Sequence, residues 1–332
     1  MQQAKTFALV VSVVALVYGA VGYALLPQAA FEGDLTRMAM LPERLFGWRR
    51  PQPPVSVQEL QQASMPEADV LVIGDSFSMP GIWQIALRRE GLRVRTEHWD
   101  NLRAVCDDLP AFLQSKGFRG RHIVLQVVER NLGRVLDASL LCPVTLYRHK
   151  QVLDDLPAVP APFHDRQNLH RDGRMSVGIR SQVNAMRYEF LAREADFKSW
   201  QVASDVRVTR VGQGCARFSH LACQDALFFA EDAAADLPPE RIQQMATVAG
   251  RLTAWSVTWA VVPNKSTVYL HPDKRFWAVA HAQLGAPDLL SMTQQALARG
   301  QVDLYLGNNT HFSTEGYQLM GKVLRDAMRL SR

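Results

Sequence analysis

Ser76 and His311 are the two residues whose types and surroundings could do chemistry together. The stretch Val70-Leu71-Val72-Ile73-Gly74-Asp75-Ser76-Phe77-Ser78 reads as a buried strand that ends in a glycine and hands the chain to a small nucleophile. In open α/β sheets the crevice at the carboxyl ends of the strands is where ligands sit, so a hydroxyl placed there stands where reactions occur. Gly74 is expected to let the chain turn off the strand and bring backbone N–H groups toward the hydroxyl. A serine hydroxyl is a poor nucleophile near neutral pH and needs a base to take its proton. The base is offered 235 residues later, in Asp303-Leu304-Tyr305-Leu306-Gly307-Asn308-Asn309-Thr310-His311-Phe312-Ser313. Here a strand expected over 302–306 runs into a polar loop carrying His311. A helix then starts near Ser313, with apolar Leu319, Met320, Val323, Leu324 and Met328 at helical spacing. Two such strands in one parallel sheet would put both residues at one rim. The bland alternative is a strand-end turn in which Asp75 and Ser76 satisfy local donors, with His311 solvated on its loop.

Gly74-Asp75-Ser76 early, and a histidine five residues before Gly316-Tyr317 at the last helix, resemble the SGNH/GDSL hydrolase superfamily. Within it, Gly74-Asp75-Ser76-Phe77-Ser78, the strand ending in Val128-Glu129-Arg130, the run from Val261 to Tyr269, and Asn309-Thr310-His311-Phe312 are similar to periplasmic alginate O-acetyltransferase-like polysaccharide acetylation proteins. The matches cover roughly 68–132 and 255–330. The resemblance implies a three-layer α/β/α parallel sheet and acyl transfer through a Ser76 ester with His311 as general base. It also implies an exopolysaccharide as acceptor and a membrane acyltransferase as possible acetyl donor. Arg130 becomes a candidate for anchoring substrate or ordering its loop, with an ion pair as the plain alternative. The sequence departs from the family in two ways. The Ser block precedes the His block, unlike the alginate group, and the positions where an aspartate is expected are Asn309 and Asn308. Asn309 is therefore the expected orienter of His311, with Asp303 or Glu315 as carboxylates that could reach in. An acetylesterase of the same fold, or a degenerate polysaccharide-binding scaffold subunit, are the rival functions.

The remaining elements must position these residues. Residues 6–26 form an apolar run of about 21 residues, which at about 1.5 Å each spans the roughly 30 Å of a bilayer core. Lys5 precedes it, favouring an N-in orientation. An uncleaved signal anchor over 1–30 is expected; a removed signal with a cleavage site near Ala29-Ala30 is the rival. The rest of the chain is then exported, which for a bacterial inner-membrane protein means a single pass with the domain in the periplasm. A proline-rich tether is expected over 31–66, followed by the catalytic domain over 67–332. In that domain a helix at 81–90 would aim its N-terminus at the rim, where its dipole favours developing negative charge. Strands at 92–96, 122–128 and 256–262 alternate with helices at 109–116, 241–252, 276–284 and 289–299, the pattern of a covered parallel sheet. Residues 134–245 break it and read as an insertion, where acceptor specificity usually lies. It is punctuated by Pro157, Pro160 and Pro162, with a helix near 186–197 and short strands at 206–211 and 227–229. Lys265 follows the strand at 256–262, where it could meet an acidic substrate group or face solvent.

Four cysteines suit an oxidising compartment. Cys215 and Cys223 are eight residues apart, Cys106 and Cys142 bracket part of the Ser-side half, and two disulfides follow as the natural pairing, although three connectivities exist. No ligand spacing of the Cys-x-x-Cys or His-Glu-x-x-His kind occurs, so neither zinc nor another cofactor is expected. The net charge of +5 is mild, and without a Lys/Arg block or an aromatic platform it excludes a nucleic-acid partner.

Overall fold

The computed structural model describes residues 2–24, 32–148, 175–234 and 237–330. Ala29-Ala30 and Pro157, Pro160 and Pro162 lie outside them. Helix α1, Gln2–Ala24, is long and apolar enough to cross a membrane, and none of that span is buried against the protein. An apolar helix with no protein face needs another apolar medium to cover it.

The strands are β1 (Val70–Gly74), β2 (Val94–His98), β3 (His122–Val128), β4 (Ser199–Ala203), β5 (Val206–Arg210), β6 (Asp225–Phe229) and β7 (Ser256–Val262). Four of them form a parallel sheet in the order β2-β1-β3-β7, and the other three an antiparallel sheet in the order β4-β5-β6. The protein is thus mixed α/β. Every residue of β1 is buried, as an internal parallel strand covered on both faces must be. Strands β3 and β7 pair in full register, from His122 opposite Ser256 to Val128 opposite Val262. The carboxyl ends of β1, β3 and β7 therefore share one edge, and the segments beginning at Asp75, Glu129 and Pro263 emerge there side by side. The long apolar core joins this sheet to helices including Glu129–Leu140, Phe276–Leu284, Leu289–Ala298 and Thr314–Leu330.

Residues 134–245, expected as an insertion, carry the helix Met175–Leu191 and the antiparallel sheet. Disulfides join Cys106 to Cys142 and Cys215 to Cys223, each with Cα atoms 4.6 Å apart.

Three local expectations are corrected. The stretch 32–66 is no free tether from Gly33 onward, because it folds onto the domain. Its helices α2 (Asp34–Ala39) and α3 (Glu43–Phe46) bury Leu35, Ala39, Leu41, Leu45 and Phe46 against Val206, Val208 and Leu227 of the small sheet. Five apolar side chains left in water would forgo on the order of 1.5–3 kcal/mol each for the larger ones, which is why this segment does not stay loose. Farther on, Leu60, Ala63 and Met65 pack on the main core. Second, the only helical part of 81–90 is Ile85–Arg88, preceded by turns and by Gly81 at φ +70°, so the helix expected to start at 81 and aim its N-terminus at the rim does not form. Third, 302–306 joins no sheet. Asp303 adopts φ +56°, its amide bonds the Arg217 carbonyl at 2.8 Å, and the Tyr305 amide bonds the Tyr269 hydroxyl at 3.2 Å. With those backbone groups committed elsewhere a ladder cannot form, and only an isolated bridge pairs Tyr305 with Phe312.

Candidate active site

Asp75 and Ser76 follow β1 directly, and a buried network fixes the turn. The Asp75 carboxylate accepts from the Phe77 amide at 3.0 Å, the Gln126 side-chain amide at 2.9 Å and the Val128 amide at 2.6 Å. Gln126 in turn accepts from the Asp75 amide at 3.1 Å and the Ser78 hydroxyl at 2.6 Å. A buried carboxylate with three donors is a clamp, so Asp75 orders the loop between β1 and β3. Gly74 works differently from expectation. Its φ is not positive; what it provides is room, since a Cβ there would run into the Ser78 side chain and come within 2.8 Å of the Gln126 Oε1.

His311 comes to the same edge from the other end of the chain. Its Nε2 lies 2.8 Å from the Ser76 Oγ, a full hydrogen bond. The Phe77 ring packs against the imidazole with centroids 4.9 Å apart, and Phe77 also meets Phe312 and Tyr317 edge-on. The expected orienter is in place: Asn309 Oδ1 lies 2.9 Å from His311 Nδ1 and also accepts from the His311 backbone amide at 2.9 Å. Of the carboxylates offered as alternatives, Asp303 is buried and accepts from the Ser219 amide at 3.0 Å, while Glu315 is engaged by the Gln301 side chain. Neither is hydrogen-bonded to His311.

A carboxylate the sequence reading missed stands there instead. Asp34, the first residue of α2, has its Oδ2 3.5 Å from His311 Nδ1, and its Oδ1 accepts from the Thr310 amide at 2.9 Å. The Thr310 hydroxyl also donates to the Asp34 carboxylate and lies 3.1 Å from His311 Nδ1. Burial alone would raise the Asp34 carboxyl, but the hydrogen bonds and charge of His311, with the hydrogen bonds of Thr310, outweigh it and hold the group below the ordinary carboxylate value.

The loop is held from two further sides. Buried Glu43 at the start of α3 accepts from the Gly33 amide at 3.0 Å and the Asn308 side chain at 2.7 Å, and binds the Thr36 hydroxyl. Burial lifts its carboxyl above the ordinary value against the pull of those donors. Gly33 sits so close to Asn308 that any Cβ would collide with its backbone oxygen and side chain. Lys265 neither faces solvent nor awaits a substrate. It is buried, and its ammonium donates to the carbonyls of Leu306, Gly307 and Asn309 at 2.6, 2.9 and 3.2 Å. Burial lowers the amine to about 7, against the opposing charges of Asp34, Asp232 and Asp303.

Arg130 takes the plain alternative. Its guanidinium pairs with buried Asp232 at 3.0 Å and lies over the Phe229 ring. Burial raises the Asp232 carboxyl to about 6, with the Arg130 charge pulling it down. Neighbouring Glu129 accepts from the Asn264 amide at 2.8 Å and the Thr267 hydroxyl at 2.6 Å and is paired with Lys274. This pair of residues therefore pins the segment after β7. Among the described residues no group of His, Cys, Asp and Glu could hold a metal ion.

The arrangement can do one thing well: draw a proton off Ser76 while the imidazole is held by its other nitrogen. Set against known proteins, the chain matches no family profile, no curated protein and no solved structure.

Proposed function

We propose that the protein is an exported, membrane-anchored O-acetyltransferase that modifies hydroxyls of an exopolysaccharide through an acyl-Ser76 intermediate, on a three-layer SGNH-like domain. The observation that carries this reading is the 2.8 Å hydrogen bond between Ser76 Oγ and His311 Nε2, closed by segments that the sequence keeps far apart. In the first half-reaction His311 Nε2 takes the hydroxyl proton as Ser76 Oγ bonds to the acyl carbonyl carbon. The tetrahedral oxyanion collapses as the bond to the leaving oxygen breaks, and His311 returns the proton to that oxygen. In the second half-reaction a sugar hydroxyl gives its proton to His311 and bonds to the Ser76 ester carbonyl carbon, and His311 passes that proton to Ser76 Oγ as the ester bond breaks, leaving the acetylated sugar and free Ser76. The Ser76 backbone N–H has no backbone acceptor among the described residues and is the proposed donor for the oxyanion. Such a donor is worth on the order of 3 kcal/mol in serine enzymes.

The acceptor class rests on the similarity of the motifs around Ser76 and His311 to polysaccharide acetylation proteins, and the placement on α1, which favours a substrate met at the membrane. With the domain in the periplasm, acetyl would arrive from a membrane acyltransferase partner.

The test uses the full chain in detergent with an activated aryl acetate. Ser76-dependent release of the aryl alcohol is expected, with Ser76→Ala or His311→Ala lowering the rate by up to about 10⁶. With an oligosaccharide acceptor present, acetylated sugar detected by mass spectrometry marks a transferase, and acetate alone marks an esterase. Equal inertness of wild type and Ser76→Ala on every donor would end the reading.

A further inference from the structure

We infer that Asp34 supplies the negative charge that the His311 loop lacks, so that the third member of the relay comes from the chain just after α1 instead of from the position of Asn309. This rests on the acyl-transfer reading of Ser76 and His311.

Proton bookkeeping around Nδ1 leads to it. The Thr310 hydroxyl has one proton and gives it to the Asp34 carboxylate, so its oxygen faces Nδ1 with lone pairs only. Asn309 likewise turns its carbonyl oxygen, 2.9 Å away, toward Nδ1, as does Asp34 its Oδ2 at 3.5 Å. Three acceptors and no donor surround that nitrogen, so Nδ1 carries the proton and Nε2 is left to accept from Ser76. The neutral Asn309 is enough to hold this tautomer and the ring's orientation, but it has no charge to answer the imidazolium that forms during reaction. Asp34 does. Among the described residues the Asp34 charge also reaches Lys265 after β7, which spends its ammonium on three loop carbonyls, and the buried hydroxyl of Tyr317, which burial and the charges of Asp75 and Asp34 keep neutral.

The fold also secures the approach. Glu43 binds the Gly33 amide and Asn308 together, the Leu35 amide bonds the Asn308 carbonyl at 3.1 Å, and the absent side chain of Gly33 lets the two backbones touch. Asp34 is therefore a positioning residue, acting on the reaction through His311.

The experiment compares wild type, Asp34→Asn and the double variant Asp34→Asn/Asn309→Asp in the full chain, with Ser76→Ala as blank, by aryl acetate turnover. Asp34→Asn keeps a side chain of the same shape that can still bond Thr310, so it removes charge more than structure. Loss of the triad Asp costs about 10⁴ in a serine protease because the tautomer goes wrong. Here Asn309 preserves the tautomer, and a smaller fall of about 10–100-fold is expected, in kcat more than in KM. The double variant, with the carboxylate moved to residue 309, should recover most of the lost rate. An Asp34→Asn variant within about twofold of wild type, a loss confined to KM, or a double variant no better than the single one would overturn the assignment. Wild type without Ser76-dependent turnover would remove the acyl-transfer reading and this one with it, whereas turnover that ignores Asp34 would remove this one alone.

Discussion

Ser76 and His311 face each other across one hydrogen bond, yet they are held by different kinds of construction. Ser76 is fixed by its immediate neighbour Asp75 and by Gln126 and Val128 of the adjacent strand, all within the parallel sheet. His311 is fixed by residues from four separate places: Asn309 and Thr310 on its own loop, Asp34 and Glu43 from the segment after α1, Lys265 after β7, and the packing of His220 beneath Gly307. A nucleophile on a strand end needs little beyond a regular sheet. A base on an irregular loop has no ladder to hold it, so every carbonyl and amide of the loop must find a partner from elsewhere. The Ser76–His311 pair is thus rigid on one side and assembled on the other.

Removing the assembled side is expected to have the largest effect. A chain lacking residues 2–41 keeps all of β1, β2, β3 and β7 but loses Asp34, Leu35 and Ala39. Aryl acetate turnover should fall by more than about 10³, as if the base itself were gone. A chain lacking residues 2–31 should stay within about threefold of the full protein. Equal activity of the two truncations would show that the His311 loop stands without α2.

A subtler break is Lys265→Met, which leaves the carbonyls of Leu306, Gly307 and Asn309 without their shared cation. Hydrogen bonds to a charged group are worth about 1.5–3 kcal/mol each, and a buried acceptor left bare costs about 1–3. A loss of about 3 kcal/mol in urea unfolding is expected, with turnover down by about 10-fold or more.

The smallest effect sharpens the comparison through pH. His220 is buried, its Nε2–H donating to the Asp225 carbonyl at 2.8 Å, and burial lowers it to about 4, with the nearby Lys265 charge adding to the depression. Its folded value lies below the ordinary 6.5, so the unfolded chain takes the proton first. The stabilisation is complete above about pH 6.5 and is lost as pH falls toward 4, by at most about 3 kcal/mol. Urea unfolding at pH 7.5 and pH 5 should show the decline, and His220→Phe, which cannot be protonated, should flatten it.

How much of this could be read in the sequence follows the same division. Val70 to Ser78 declares itself, because a strand, its terminal glycine and the following hydroxyl are one contiguous pattern. Strands β3 and β7 coincide with the apolar runs at 122–128 and 256–262 for the same reason. Asn309 was legible only through the resemblance, as the position where the family's aspartate is expected. Asp34 was not, since its signal is a contact across 276 residues and its surroundings, an apolar helix before and prolines after, read locally as anchor and spacer. Lys265 looked like a rim cation because nothing in Pro263-Asn264-Lys265 shows the three carbonyls it serves. The expected strand at 302–306 failed on long-range contacts: the positive φ of Asp303 and the amides of Asp303 and Tyr305, taken by Arg217 and Tyr269, keep the chain out of the sheet, and none of these shows in the local sequence.

Asp34 lies ten residues beyond the end of α1 at Ala24, and a fully stretched peptide covers at most about 3.5 Å per residue. With α1 seated in a bilayer, Asp34 and the His311 it touches can lie no more than about 35 Å from the lipid headgroups. On the proposed acetyltransferase reading, an acceptor polymer would then be met only in a thin shell at the membrane, and one already diffusing free would escape.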